Sequence, residues 1–424
     1  MTAALSPQAW PFDLSLLPPS AHLVGGSVRD ALLDRTADYL DLDFVLPEAA
    51  VETARTIARH HQAGFVVLDV THQIARVVFD RATVDFAQQV GDTLAEDLHR
   101  RDFTVNAIAY HPHTEQIFDP LRGCADLDRR VLRMVSPDNL ADDPLRLLRA
   151  YRQAAQLGFT LDSQTRQTIH QLSPLLGRMA AERVRGELDC LLSLSAGTPL
   201  LQLAWQDGLL QDWFPQLQAQ PLQILGAIDG ATQTLETLCP AMAEQLPEWL
   251  KEHTPPGCHR SWLKATKLSQ VIPETATAAE AELTRLKYSR AEQQAVLAIL
   301  RGWQYLQAHP GEGLSSRQQY HLFKITGPSF VGLALLACAL GYPQGPLRLL
   351  CDRFLAPTDP VAHPQPLVSG REVMAHFNLR PGPRIGVLLA AVELAHAEGQ
   401  VTTSTEALSW LEMRADTLPP SQTI

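Results

Sequence analysis

From about His22 to Pro120 the chain alternates β-patterned and helical runs: "HLV", a helix from Ser27, "DLDFVL", a helix across "AVETARTIARHH", then "GFVVLDV", "IARVVF", "ATVDFA" and "NAIAYH". This pattern predicts a mixed sheet with helices. From about Asp126 β-patterned runs nearly vanish, and leucine and alanine recur at helical spacing through "DDPLRLLRAYRQAAQLGF", "AAERVRGELDCLLSL" and "PLLQLAWQDGLL". The expected class is therefore α+β, with the sheet first and an all-helical remainder. Breaks fall near "LSAGTP", "EHTPPGCH" and the proline-rich "LAPTDPVAHPQPLV" from Leu355 to Val368, which reads as a linker before a last helical unit. The apolar run "FVGLALLACALGY", Phe330 to Tyr342, is too short to cross a bilayer and is expected to form a buried helix.

A chain of 424 residues exceeds what one hydrophobic core organises, so two to four domains are expected. With 46% hydrophobic and 19% charged residues it has ample material for buried cores. The N-terminal stretch "MTAALSPQAWPFDLSLLPPS" has no Arg or Lys and several prolines, unlike a signal peptide, so a cytoplasmic protein without a membrane partner is expected. The six cysteines, Cys124, Cys190, Cys239, Cys258, Cys338 and Cys351, form no CxxC pair and are expected to be reduced. A net charge of -11 argues against binding nucleic acid over the whole surface but leaves room for a local basic face. No lysine precedes Lys251; the cations of the first half are arginines, clustered in "HRRDF", "DRRVLR", "RLLRAYR" and "ERVRGE". Arginine presents a planar fork of donors suited to phosphates and base edges.

The stretch "HLVGGSVRDALLDRTADYLDLDFVL" concentrates the chemistry. Gly25 and Gly26 follow a strand and precede a helix, where bare backbone N–H groups can approach a phosphate, with Arg29 in the first turn. On a strand, Asp41 and Asp43 point to one face and Leu42 to the other, so two carboxylates converge and call for a cation. Hard oxygen ligands beside a phosphate site suit Mg2+. Two ions roughly 4 Å apart would stabilise both the attacking and the leaving oxygen of an in-line displacement. Asp85 in "ATVDFA" could bring a third carboxylate from a neighbouring strand. In "ADDPLRLLRAYR", Asp143, Arg146 and Arg149 recur every three residues and are expected near one face of a helix, with Leu145 and Leu148 turned partly away. A carboxylate there accepts from the exocyclic amine of cytosine or adenine, and a guanidinium donates to the adjacent ring nitrogen. Uracil would leave both mispaired.

"GGSVRD" followed by "DLD", "RRDFTVNAIAY" and "DDPLRLLRAYRQAAQLGF" resembles the class II tRNA nucleotidyltransferases and the related bacterial poly(A) polymerases, over roughly residues 22 to 190. A fainter likeness in "LVSGREVM" and "PGPRIGVLL" extends it to the last unit. The resemblance implies template-independent addition of C and A to the tRNA 3' end from CTP and ATP. It also implies a polymerase β-like nucleotidyltransferase head (1–125), a base-recognising neck (126–195), a body (196–354) and a linker with a tRNA-binding tail (355–424). By it, Gly25, Gly26 and Arg29 hold the triphosphate and Asp41 and Asp43 the metals, while Arg101, Asp102 and Asn106 contact ribose and phosphates. Asp143 and Arg146 are the templating pair of an EDxxR motif, in which Asp142 stands for the usual Glu. "AAERVRGEL" resembles the neck motif, with Glu182, Arg183 and Glu187 bracing helices.

Neither His60-His61 nor His111 and His113 of "YHPHT", which reads as a hairpin turn, is taken as a metal site. Competing readings are a poly(A) polymerase on the same head, a non-catalytic RNA-binding protein that kept the fold, and a nucleotidyltransferase of small molecules or proteins. In relatives that build all of CCA, a longer flexible loop precedes "RRDF"; here the interval "DFAQQVGDTLAEDLHRRDF" is short. That departure suggests a specialist that adds two cytosines and leaves the final adenine to a partner enzyme.

Overall fold

The computed structural model describes residues 3–35, 39–247, 260–310 and 313–414. The break at "EHTPPGCH" and Cys258 lie outside them. The chain forms two compact units, Met1–Glu187 with Leu200–Trp213, and Leu188–Pro199 with Phe214–Ile424.

In the first unit β1 (His22–Val24), α1 (Gly26–Leu32), β2 (Leu40–Leu46), α2 (Ala50–His61), β3 (Gly64–Asp69), β4 (Ile74–Phe79) and β5 (Ala82–Gln88) follow the expected alternation. Next come α3 (Leu94–His99), a 3-10 turn at Thr104–Asn106 and the hairpin β6 (Ala109–His111) to β7 (Gln116–Phe118). His111 ends β6 and His113 lies in the turn after it. The seven strands order as β3-β4-β5-β2-β1-β6-β7. β2 runs parallel to β5, in register Asp43 with Asp85, and antiparallel to β1. The pleat sends Leu42, Phe44 and Leu46 into the core, all at 0–1% exposure. Phe44 stacks on Phe86 and is capped by Trp10 and Phe12 from the segment before β1. That segment, read in the sequence only as unlike a signal peptide, buries Trp10, Phe12 and Leu17 between and after its 3-10 turns.

The unit continues through α4 (Gly123–Arg129), β8 (Val131–Leu132), α5 (Pro137–Asp142), α6 (Leu145–Leu157), β9 (Thr160–Leu161), α7 (Ser163–Leu172), the part of α8 (Ala181–Ser193) up to Glu187, and the part of α9 (Gly197–Gln206) from Leu200. β8 and β9 form a two-stranded parallel ladder of their own. Tyr151 on α6 donates to Asp207 at 2.5 Å, and Arg166 on α7 grips the same carboxylate through two bonds of 2.7 and 2.9 Å. This brace fastens the segment 200–213 into the first unit.

The second unit is helical, as the leucine and alanine spacing predicts. Its helices are α10 (Ala219–Leu238), α11 (Pro240–Ala243), α12 (Trp262–Val271), α13 (Ala276–Arg285), α14 (Arg290–Ala308), α15 (Ser316–Thr326), α16 (Phe330–Ala339), α17 (Gln344–Leu355), α18 (Gly370–Phe377), α19 (Pro383–Ala397) and α20 (Ser404–Glu412). α16 is the expected buried helix, enclosed by α10, α12 and α14. Joined to α15 through a 3-10 link, it makes Ser316–Ala339 long and apolar enough to cross a membrane by composition, but 67% of that window is packed inside the protein. Lys264 and Lys267 are buried and paired: Lys267 Nζ lies 2.6 Å from Asp229 Oδ1 and donates to Leu194 O at 2.9 Å, while Lys264 Nζ meets Glu292 at 3.0 Å. α18, α19 and α20 share a separate apolar cluster around Val373, Leu388, Val392 and Leu411. The cysteines depart from expectation at one position: Cys190 is disulfide-bonded, whereas Cys124, Cys239, Cys338 and Cys351 are free.

Candidate active site

Three aspartates line one face of β2 and β5. Asp41 is exposed and accepts from Thr83 Oγ1 at 2.6 Å. Asp43 sits deeper, with Asp85 beside it in the parallel ladder. Burial of its carboxyl and the charges of Asp41 and Asp85 push Asp43 up to about 6, against the opposing pull of Arg101 and Arg76. Asp85 is held by Arg76 in a two-bond fork, 2.7 Å from Nε and 2.8 Å from Nη2. Among the described residues neither Asp41 nor Asp43 is held in an ion pair, and the two present hard oxygen donors whose chemistry fits a small divalent cation. Among the described residues no three His, Cys, Asp or Glu groups form a metal cage.

Gly25 occupies the turn between β1 and α1 at φ 79° and ψ -141°, a conformation L side chains rarely adopt. A Cβ there would lie 3.3 Å from Arg101 Nη1 and 3.4 Å from Asp43 Oδ2, so the bare backbone lets a cation and a carboxylate close in on the turn. Arg101 is anchored to Asp97 at 3.3 Å, while its buried Nε has no hydrogen-bond partner among the described residues. Arg29 reaches Asp30 through two bonds of 2.9 Å and donates from Nη1 to Asn106 Oδ1 at 2.7 Å. Asn106 in turn donates to Asp102 Oδ1 and to Gln153 Oε1, both at 2.9 Å. Arg149 closes the chain, 3.6 Å from Asp102 and 3.2 Å from Glu187, whose other oxygen pairs with Arg152. Residues far apart in sequence thus form one polar network beneath the glycine turn.

The segment carrying Asp143 corrects the sequence expectation. Asp143, Arg146 and Arg149 do not share one helix: Asp143 ends α5 in an extended conformation, φ -129° and ψ 90°, and α6 starts only after Pro144. Proline clashes with a helical residue before it, so the helix breaks at Asp143. Asp143 Oδ2 accepts from Arg183 Nη2 on α8 at 2.8 Å. Arg146 donates from Nη1 to Arg100 O at 3.1 Å and to Asn139 O at 2.9 Å. Arg149 turns instead toward Asp102 and Glu187. Leu145 and Leu148 are buried.

Sequence reasoning passed over Arg76, Gln153 and Asn139. Arg76 was signalled as a lone cation inside the apolar run "IARVVF", and Gln153 as a buried amide on the apolar side of α6, 7% exposed.

Three family models match in succession: the poly A polymerase head domain over residues 21–133, the RNA and SrmB-binding site of polymerase A over 158–220, and tRNA nucleotidyltransferase domain 2 over 259–411. A CC-adding tRNA nucleotidyltransferase of Synechocystis sp. is 46% identical over 408 residues, 96% of either chain. An A-adding tRNA nucleotidyltransferase of Deinococcus radiodurans is 35% identical over 432 residues, covering 95% of this chain and 98% of its own. The crystal structure of the Bacillus stearothermophilus CCA-adding enzyme in complex with CTP superposes with TM-score 0.70 and 26% identity, covering 94% of this chain and 93% of that one. Near-full-length identity and three domains matched in order make this chain a member of the tRNA nucleotidyltransferase and poly(A) polymerase family, and an enzyme that transfers nucleotides.

Proposed function

We propose that the enzyme adds cytidine nucleotides from CTP to the 3' end of tRNA without a nucleic-acid template, stops after the second cytosine, and leaves the terminal adenosine to a second, A-adding enzyme. The observation that carries the stop is the interval between Asp85 and Arg101. After β5 ends at Gln88 it consists of the five residues 89–93, the short helix α3 and Arg100, and it is strapped at both ends. Gln89 N donates to Leu46 O at 2.7 Å, Val90 N to Asp97 at 3.1 Å, and Thr93 and Glu96 close a capping box. No long segment is left there to re-aim the base pocket from cytosine to adenine. The Synechocystis relative, CC-adding by name, agrees.

In this reading the tRNA 3' hydroxyl attacks the α-phosphorus of CTP and pyrophosphate leaves. Gly25, Gly26 and Arg29 hold the triphosphate. Arg101, Asp102 and Asn106 receive ribose and phosphate oxygens, with Asp102, 3.6 Å from Arg149, as an acceptor for a ribose hydroxyl. Asp41 and Asp43 would hold Mg2+, with Asp85 completing the acidic face; the ion would supply charge stabilisation for the attacking and leaving oxygens. Asp143 accepts from the cytosine amine and Arg146 donates to its ring nitrogen and carbonyl. The hydrogen bonds of Arg146 to the described residues all leave from Nη1, and neither Nε nor Nη2 donates to any of those residues. Uracil, with a carbonyl in place of the amine and a hydrogen on the ring nitrogen, would set acceptor against acceptor at Asp143 and donor against donor at Arg146, mispairing both groups. The tail, residues 355–424, would carry part of the tRNA contact.

The test is direct. Purified protein, a tRNA lacking CCA, and CTP with ATP should give products ending at the second cytosine. Extension by one adenosine would refute the stop while leaving the transfer of cytidine intact, and a long adenosine tail would favour the poly(A) polymerase reading.

A further inference from the structure

We infer that Asn139 is a positioning residue for base selection, a clamp that fixes Arg146 to the turn carrying Arg101. The inference rests on the proposed reading of the base by Asp143 and Arg146. α3 ends at His99, and the last carbonyls of a helix have no partner within it. Here three consecutive carbonyls are taken up by groups from the Asn139 to Arg146 segment. Asn139 Nδ2 donates to His99 O and to Arg101 O, both at 2.7 Å. Arg146 Nη1 donates to Arg100 O between them, at 3.1 Å, and to the backbone carbonyl of Asn139 itself, at 2.9 Å. The Asn139 side-chain amide, on a residue 8% exposed, therefore fixes the His99–Arg101 turn at its two outer carbonyls, while the turn's middle carbonyl and the Asn139 backbone carbonyl hold Arg146 Nη1.

The placement is unusual for helix chemistry. Ser136 caps α5 by accepting from Asn139 N at 3.2 Å, and the third helical residue is where Glu or Gln would fold back to complete a capping box. Asn139 turns away from the cap and spends both amide hydrogens on the α3 turn. The nucleotide-contacting segment and the base-selecting guanidinium are thereby one rigid body. A pocket built this way holds one donor geometry, which suits recognition of a single base.

The experiment compares kcat/KM for CTP and UTP on a tRNA lacking CCA. Asn139→Asp keeps the shape but sets a carboxylate against two carbonyl oxygens. We expect the CTP preference to fall about tenfold, with KM for CTP rising, at unchanged circular dichroism. Asn139→Ala removes the donors without adding charge and gives the same readout where the aspartate fails to fold. Ser136→Ala weakens the same helix through its cap and should leave the preference unchanged. If both Asn139 variants keep the preference, or lose all nucleotides equally, while Asp143→Ala and Arg146→Ala abolish it, the clamp is refuted and the base reading stands. If Asp143→Ala and Arg146→Ala keep the preference too, the base reading itself is overturned, and the clamp with it.

Discussion

Arg76 and Asp85 face each other across the β4–β5 ladder and lock through two parallel hydrogen bonds of 2.7 and 2.8 Å. The fork neutralises the carboxylate lying beside Asp43, and Arg76 also lowers the affinity of Asp43 for a proton directly. Without it three uncompensated carboxylates would share one strand face. The pair thus decides how much negative charge the face presents: enough to attract a cation, not so much that Asp43 stays protonated at neutral pH.

Asp43 makes the stability of the metal-free protein depend on pH. Its ordinary value of 3.8 rises to about 6 on folding, so between these values the folded chain holds a proton that the unfolded chain has lost. Stability from this group is therefore full below pH 4 and lost as pH rises through 6, by at most about 3 kcal/mol. Asp43→Asn should abolish this dependence and be more stable than the parent at pH 7 in a chelator, while nucleotide addition falls by about a thousandfold. Urea unfolding at pH 4.5 and pH 7, with and without Mg2+, reads the effect. Equal pH slopes for parent and variant would place this carboxyl in water.

Gly25→Ala should be costly on two counts. The backbone at φ 79° is strained for alanine by roughly 1–3 kcal/mol, and the added methyl would press on Arg101 Nη1 and Asp43 Oδ2. Turnover should drop by about a hundredfold, as small displacements of reacting groups do. Gly26→Ala meets only the end of Arg29 at 3.5 Å and has no positive φ, so its melting temperature should match the parent's. Equal melting temperatures for both variants would show that the turn tolerates a side chain.

Much of this site was legible because period-two alternation fixes which strand residues share a face. Asp41 and Asp43 opposite Leu42 needed nothing more. Arg76 opposite Asp85 went unread, although the signal was present: the two-residue connection Asp80–Arg81 pairs Phe79 with Ala82, and counting back along the hairpin brings 76 opposite 85. The break at Asp143 hid behind helical spacing that runs through "DDPLRLLRAYR", although Pro144 announced it. The network of Arg29, Asn106, Gln153 and Asp102 was out of reach, because its members lie up to 124 positions apart (153 minus 29) and only tertiary packing joins them. The buried lysines Lys264 and Lys267 were hidden for the same reason, since their carboxylate partners come from other helices.

The contact between Asp143 and Arg183 separates stability from selection. Arg183 Nη2 donates to Asp143 Oδ2 at 2.8 Å, but the Arg183 side chain is 47% exposed and its partner's 25%. An ion pair so open to water contributes under about 1 kcal/mol, so Arg183→Ala should barely move the melting temperature. Its effect on Asp143 is of another kind. Asp143 stands in extended backbone between two helices, and among the described residues the other hydrogen bond its carboxylate accepts is a long 3.4 Å one from Leu145 N. Freed from Arg183, the carboxylate can rotate away from the direction in which it would accept the cytosine amine, and the preference for CTP over UTP should fall about tenfold. Arg183→Lys keeps the charge without the planar fork and should recover only part of it. Should the preference survive Arg183→Ala while Asp143→Ala removes it, the α8 arginine is a brace and Asp143 is oriented by the nucleotide itself.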